Sequence, residues 1–147
     1  MNTVLFLCTA NYYRSRFAEF YFNARAVTRG LRWRAESRGL RLNLEDYGPI
    51  YHQTVAWLVN RGIALPSSHR YPIGVEEDDL QAAHLIVAVK EAEHRPLLKL
   101  NFPTWAERVE YWHVHDLDCA MPHEALPELA AKVEELVNRL RGANDEV

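Results

Sequence analysis

The stretch Val4-Leu5-Phe6-Leu7-Cys8-Thr9-Ala10-Asn11-Tyr12-Tyr13-Arg14-Ser15 decides how this chain is read. An apolar run ends in a cysteine, and an arginine follows six positions later. Val4 to Leu7 has the character of a buried strand, and the residues from about Arg14 onward have that of a helix. The loop between them can turn backbone N–H groups inward, toward an anion that also meets the positive end of the helix. Arg14 carries a planar fork matched to two oxygens of a tetrahedral oxyanion. Cys8 lies at the base of this trap, where positive potential suits an anionic sulfur nucleophile. The spacing alone is also compatible with a buried structural cysteine and a solvated arginine. The strand before, the helix after and the Ser15 hydroxyl beside the arginine favour the catalytic reading.

Outward from this motif, strands and helices alternate. Residues 14 to about 29 read as a helix with Phe17, Ala18, Tyr21, Phe22 and Ala24 on its inner side, stopped by Gly30. Leu31, Trp33, Ala35 and Ser37 alternate with Arg32, Arg34 and Glu36, the pattern of a strand with one wet face. A loop from Gly39 to Pro49 leads to a helix over 53–61, ended by Gly62. Residues 65–74, with two prolines, are irregular, and 76–82 form a short helix with an acidic first turn. Residues 84–89 are apolar on both faces, as in a sheet interior. A helix over 92–100, unsettled by Pro96, a last strand over 109–114, a last helix over 126–140 and a frayed tail from about 142 complete the chain.

This order predicts an α/β fold of three layers, a four-stranded parallel sheet with helices on both faces and the phosphate-binding loop after the first strand. Ligands of such sheets sit beyond the carboxyl ends of strands, which is where Cys8 falls. At 147 residues, a single domain over 1–147 is expected. A net charge of −3 argues against a dedicated nucleic-acid binder. The arginines at 14, 16, 25, 29, 32, 34, 38 and 41 form a local basic excess, either an ordinary solvated face or a rim attracting an anion. Two cysteines make no disulfide framework, no basic leader precedes the apolar start, and no apolar run reaches membrane-spanning length. A cytoplasmic protein with no membrane partner is therefore expected.

Cys8, Asn11, Arg14 and Ser15 together resemble the signature of the low-molecular-weight protein tyrosine phosphatases, whose arsenate-reductase relatives share the fold. The similarity continues through Phe17-Ala18-Glu19-Phe20, Ala35-Glu36-Ser37-Arg38-Gly39, Asn60-Arg61-Gly62-Ile63, His69-Arg70 and Leu85-Ile86-Val87. It spans nearly the whole chain, although only the first motif is specific. The resemblance implies phosphomonoester hydrolysis through a cysteinyl phosphate at Cys8. Thr9, Ala10, Asn11, Tyr12, Tyr13, Arg14 and Ser15 would bind the phosphate. No metal or organic cofactor is implied. The partners it implies are a phosphotyrosine protein or small aryl phosphate, and inorganic phosphate.

The family places its general acid, an aspartate usually followed by proline, in the loop after the last strand. Here Asp116 falls at that place, followed by Leu117, and Asp118 is the alternative. One of the two is expected to be a turn former. His113 and His115 share a strand face, but no further spacing completes a metal box, so no metal site is assigned.

Other departures from the pattern are informative. A glycine usual in the loop is Ala10, so any left-handed backbone there falls best to Asn11. A cysteine common before the arginine is Tyr13, and a proline common after Arg-Ser is Arg16. Tyr12 stands where the pocket mouth is expected. The tyrosines usual after the acid are replaced by Cys119, Ala120 and Met121. Two rivals follow: an arsenate reductase using an external thiol, and a catalytically weak anion- or phosphoprotein-binding regulatory domain.

Overall fold

The computed structural model of the chain describes residues 1–43, 48–116 and 120–145. In chain order its elements are β1 (Asn2–Cys8), α1 (Arg14–Thr28), β2 (Trp33–Gly39), α2 (His52–Asn60), α3 (Glu77–Ala82), β3 (Leu85–Ala88), α4 (Glu91–Asn101), β4 (Glu110–Tyr111) and α5 (Pro122–Asp145). The four strands lie in the order β2-β1-β3-β4, all parallel. β1 is thus an inner strand, and its carboxyl end opens directly onto the loop at residues 9–13.

The side chains of β1 alternate between two cores, as a strand's period requires. Val4, Phe6 and Cys8 face one cluster with Phe17 and Phe22 of α1, Leu58 of α2, and Leu129 and Val133 of α5. Leu5 and Leu7 face the other, with Leu80 of α3, Leu98 of α4 and Trp105. Helices therefore cover both faces, as the alternation of elements predicts. No described helix is long and apolar enough to cross a membrane.

The differences from the sequence reading lie at element ends. The last strand is two residues long rather than six, because only Val87 and Ala88 of β3 pair with it. Beyond it the chain stays tied to β3 by single bonds, Trp112 N–H to the Ala88 carbonyl at 2.8 Å and Val114 N–H to the Val89 carbonyl at 2.7 Å. α4 runs through Pro96, which has no N–H to donate to the preceding turn. α5 begins at Pro122, the first helical turn being where proline fits best, so that Pro127 lies inside it. It continues past Gly142 to Asp145, where a frayed tail was expected.

Gly39 ends β2 beneath the loop at residues 9–13. A Cβ there would stand 2.9 Å from the Thr9 carbonyl oxygen and 3.1 Å from the Ala10 carbonyl carbon. Its neighbours clamp the loop, Leu40 N–H donating to the Cys8 carbonyl at 2.9 Å and Arg41 N–H to that of Thr9 at 2.8 Å. The close approach of two backbones explains glycine at this position.

Candidate active site

The loop after β1 forms the floor of a cavity of about 870 Å³. Cys8, Thr9, Ala10, Tyr12, Tyr13 and Arg14 line it from below, and Glu93 and Asp116 reach it from the ends of β3 and β4. The ends of β1, β3 and β4 thus converge on one place, the carboxyl edge of the sheet.

Asn11 organises the loop. It is fully buried, and among the described residues it is the only non-glycine with positive φ, at 55°. Asparagine tolerates that conformation better than other residues because its short amide bonds locally. Here the amide makes four bonds. Its oxygen accepts from Arg70 Nη1 at 2.9 Å and from the Ile73 N–H at 3.1 Å. Its nitrogen donates to Ser15 Oγ at 2.8 Å and Ser37 Oγ at 3.0 Å. Because Ser15 Oγ accepts from Asn11, its own proton is free to point at Cys8 Sγ, 2.9 Å away. Ser37 in turn donates to Glu19 Oε1 at 2.6 Å. Asn11 thus links the Cys8–Ser15 pair to the Ser37–Glu19 pair.

Arg14 is 2% exposed and lies at the first residue of α1. Nη1 donates to the Val114 carbonyl at 3.0 Å. Nη2 lies 2.7 Å from Glu93 Oε2 and 3.3 Å from Asp116 Oδ2. Burial alone would weaken its proton affinity, but Cys8, Asp116 and Glu93 push it above the usual arginine value. The guanidinium is therefore a fixed cation.

Glu93 and His94 form a polar cluster that the sequence reading did not single out. His94 is fully buried at the start of α4. Its Nδ1 accepts the Lys90 N–H at 3.0 Å. Burial holds its pKa below the usual histidine value, so the ring is neutral and Nε2 carries the proton. Nε2 lies 3.1 Å from both Thr9 Oγ1 and Glu93 Oε2. Thr9 also donates to Glu93 Oε2. Burial would raise the Glu93 pKa, but the bonds from His94 and Thr9 and the charge of Arg14 hold it well below the usual carboxylate range. Glu93 is an anion facing the cavity. The signal was present in the sequence: a Glu-His pair just past an all-apolar inner strand, at the edge where ligands of such sheets bind.

Asp116 is brought to the cavity by the short bonds at Trp112 and Val114. Leu117, Asp118 and Cys119 lie outside the described residues, so the alternative acid, Asp118, is not located. His113 and His115 are exposed, and among the described residues no group of three metal-ligating side chains assembles. Tyr13 is buried, and burial together with nearby Asp116 raises its pKa to about 12. The Tyr12 and Tyr51 rings lie 6.0 Å apart beside the cavity, forming an aromatic wall.

The arginine cluster does not form a rim. Arg25 and Arg29 pair with Glu134, Arg34 and Arg38 with Glu36, and Arg38 also with Asp79. Only Arg41 joins Arg14 at the cavity. Arg16 is 1% exposed and acts as a strut, donating to the Pro49 and Arg70 carbonyls at 2.9 Å each. Burial and the neighbouring Arg70 lower its pKa to about 10.

The family model for low molecular weight phosphotyrosine protein phosphatase matches residues 3–143. The chain belongs to that family. Its members are cysteine-dependent phosphatases, and this chain carries their cysteine, Cys8, at the end of β1. A low molecular weight protein tyrosine phosphatase from T. tengcongensis shares 28% identity, with 97% of this chain and 99% of that one covered and a TM-score of 0.76. The fold recurs in the phosphatase SP-PTP from Streptococcus pyogenes, at 21% identity, 95% and 93% coverage and a TM-score of 0.78. It also recurs in the YwlE arginine phosphatase from Geobacillus stearothermophilus, at 20% identity, 99% and 97% coverage and a TM-score of 0.74. None of the curated proteins compared matches the chain. In this low molecular weight phosphatase, Arg16 is a buried strut and Tyr13 a buried ring.

Proposed function

We propose that this phosphatase hydrolyses phosphotyrosine in proteins through a cysteinyl-phosphate intermediate. The observation that carries the proposal is the 2.9 Å contact between Ser15 Oγ and Cys8 Sγ at the floor of a cavity walled by Tyr12 and Tyr51. The aromatic wall suits the ring of an aryl phosphate. The Cys8 sulfur attacks phosphorus, an S–P bond forms, and the P–O bond to the leaving oxygen breaks. Asp116 gives that oxygen its proton. A water, deprotonated by Asp116, then attacks phosphorus and releases phosphate with the sulfur restored. Arg14 and the loop N–H groups hold the equatorial oxygens. Loop residues Thr9 to Ser15 are the phosphate-binding segment.

A second reading is protein-arginine phosphatase activity. Two carboxylates, Glu93 and Asp116, line the cavity, and a carboxylate suits a guanidinium leaving group. The discriminating experiment supplies matched phosphotyrosine and phosphoarginine peptides, and p-nitrophenyl phosphate with chelator present. Phosphotyrosine is expected to be the better peptide by kcat/KM, and Cys8→Ser to abolish all turnover. Preference for phosphoarginine moves the assignment to the second reading. Hydrolysis persisting in Cys8→Ser removes the mechanism.

A further inference from the structure

Arg14 is the cation an incoming phosphoryl group needs, yet in this structure its charge is already engaged. Nη1 is spent on the buried Val114 carbonyl at 3.0 Å. Nη2 faces Glu93 Oε2 at 2.7 Å and Asp116 Oδ2 at 3.3 Å. Glu93 is not held by Arg14 alone. Thr9, from the loop itself, donates to the same Oε2, and His94 Nε2 lies 3.1 Å from it. One carboxylate oxygen thus collects donors from the floor of the site, from α1 and from α4. That is how an oxyanion would be held, and the carboxylate faces the cavity above Cys8.

We propose that Glu93 is a resident anion that holds Arg14 in the empty site and must give way when a phosphoryl group binds. The inference rests on the phosphatase reading of this site. Nη2 already faces two carboxylates, so a phosphoryl group brings a further anion to the same arginine arm, and the repulsion bears most on Glu93, the nearer of the two. The Glu93 side chain is 27% exposed and sits in the first turn of α4, so it can rotate toward open cavity while its charge stays near a helix N-terminus. Inorganic phosphate and a phosphorylated side chain face the same displacement, so the resident carboxylate lowers the affinity of the site for every phosphoryl ligand, the released product included.

The competing role for Glu93 is as a positioning residue that simply aligns Arg14. The two roles predict opposite signs. Inorganic phosphate binding is measured by calorimetry on the whole chain, comparing the parent protein with Glu93→Gln, which keeps shape and removes the charge. Resident-anion behaviour gives at least tenfold tighter phosphate binding in Glu93→Gln. Phosphate binding that is unchanged or weaker in Glu93→Gln overturns the proposal. A crystal structure of the unaltered protein soaked in phosphate gives a check that needs no variant. Glu93 Oε2 should then lie beyond hydrogen-bond distance of Arg14. Persistence of the 2.7 Å contact beside a bound phosphate overturns the proposal. Phosphate binding is read here without turnover, so this result stands apart from the peptide assay that tests the phosphatase reading.

Discussion

Replacing Asn11 separates two things the structure asks of one residue, a left-handed backbone and a four-bond amide. Asn11→Gly keeps the φ of 55° available and deletes the amide. Four bonds are lost: the donations to Ser15 and Ser37, and the acceptances from Arg70 and the Ile73 N–H. Ser15, Ser37 and Arg70 each keep another partner, respectively Cys8, Glu19 and the Ser37 carbonyl. The Ile73 N–H loses the one accepted by Asn11. At about 1 kcal/mol for each neutral bond and somewhat more for the charged one, the cost is about 3–5 kcal/mol. Asn11→Ala loses the same bonds and adds about 1–2 kcal/mol for a side chain forced into the left-handed region. Against a typical total of about 5–15 kcal/mol, the alanine variant should stand near the edge of folding. Urea unfolding of the parent and both variants gives the values directly, and p-nitrophenyl phosphate turnover of the glycine variant gives the catalytic cost. Freed from Asn11, the Ser15 hydroxyl is no longer aimed at Cys8, and kcat should fall about tenfold, the equivalent of one hydrogen bond of about 1.4 kcal/mol. Equal stability of the two variants would show that the backbone at residue 11 carries no strain. A loss below about 1 kcal/mol in both would refute the reasoning that the amide braces the loop.

Further outcomes concern the charged groups. Arg14→Lys should lose both phosphate binding and kcat/KM by well over tenfold, because a point charge cannot meet the Val114 carbonyl and an oxyanion together; near-normal kinetics would show that the loop does not hold phosphate through Arg14. Asp116→Asn should slow tyrosyl and alkyl phosphates more than p-nitrophenyl phosphate, because poor leaving groups need the proton most. If Asp118→Asn shows that selective loss instead, Asp118 is the acid. Stability should fall with acid in two windows. His94 has a depressed native pKa, so its contribution is present above the unfolded value of 6.5 and fades as pH drops below it. Glu93 is also depressed, so its contribution is present above 4.5 and is lost as pH falls further. Glu93→Gln should therefore shrink the second loss and deepen the first, because the Glu93 charge supports protonation of His94, in urea midpoints taken from pH 8 to pH 3, and an unchanged acid limb would show that Glu93 is not held as an anion.

The sequence by itself determined the topology and the nucleophile's place. An apolar run ending in Cys8, followed by a helix, and strands alternating with helices leave few ways to bury both faces of a sheet. The rule that ligands bind beyond strand ends then placed the site. Asn11 was legible as the left-handed residue because side-chain chemistry limits which residues adopt that backbone. Element ends were less legible, since the extent of β4 depends on how much of β3 remains to pair with it. Only the tertiary structure decided the state of Arg14. Val114, Glu93 and Asp116 stand 79 to 102 residues away from it in the chain and meet it because three strand ends converge. The fate of the arginine excess was likewise largely a matter of packing: burial claimed Arg14 and Arg16, acids on neighbouring elements took Arg25, Arg29 and Arg38, and Arg34 paired with Glu36 of its own strand. Local composition reports how many charges there are. Which of them remain to face a ligand depends on contacts between distant segments, and those contacts exist only once the sheet has formed.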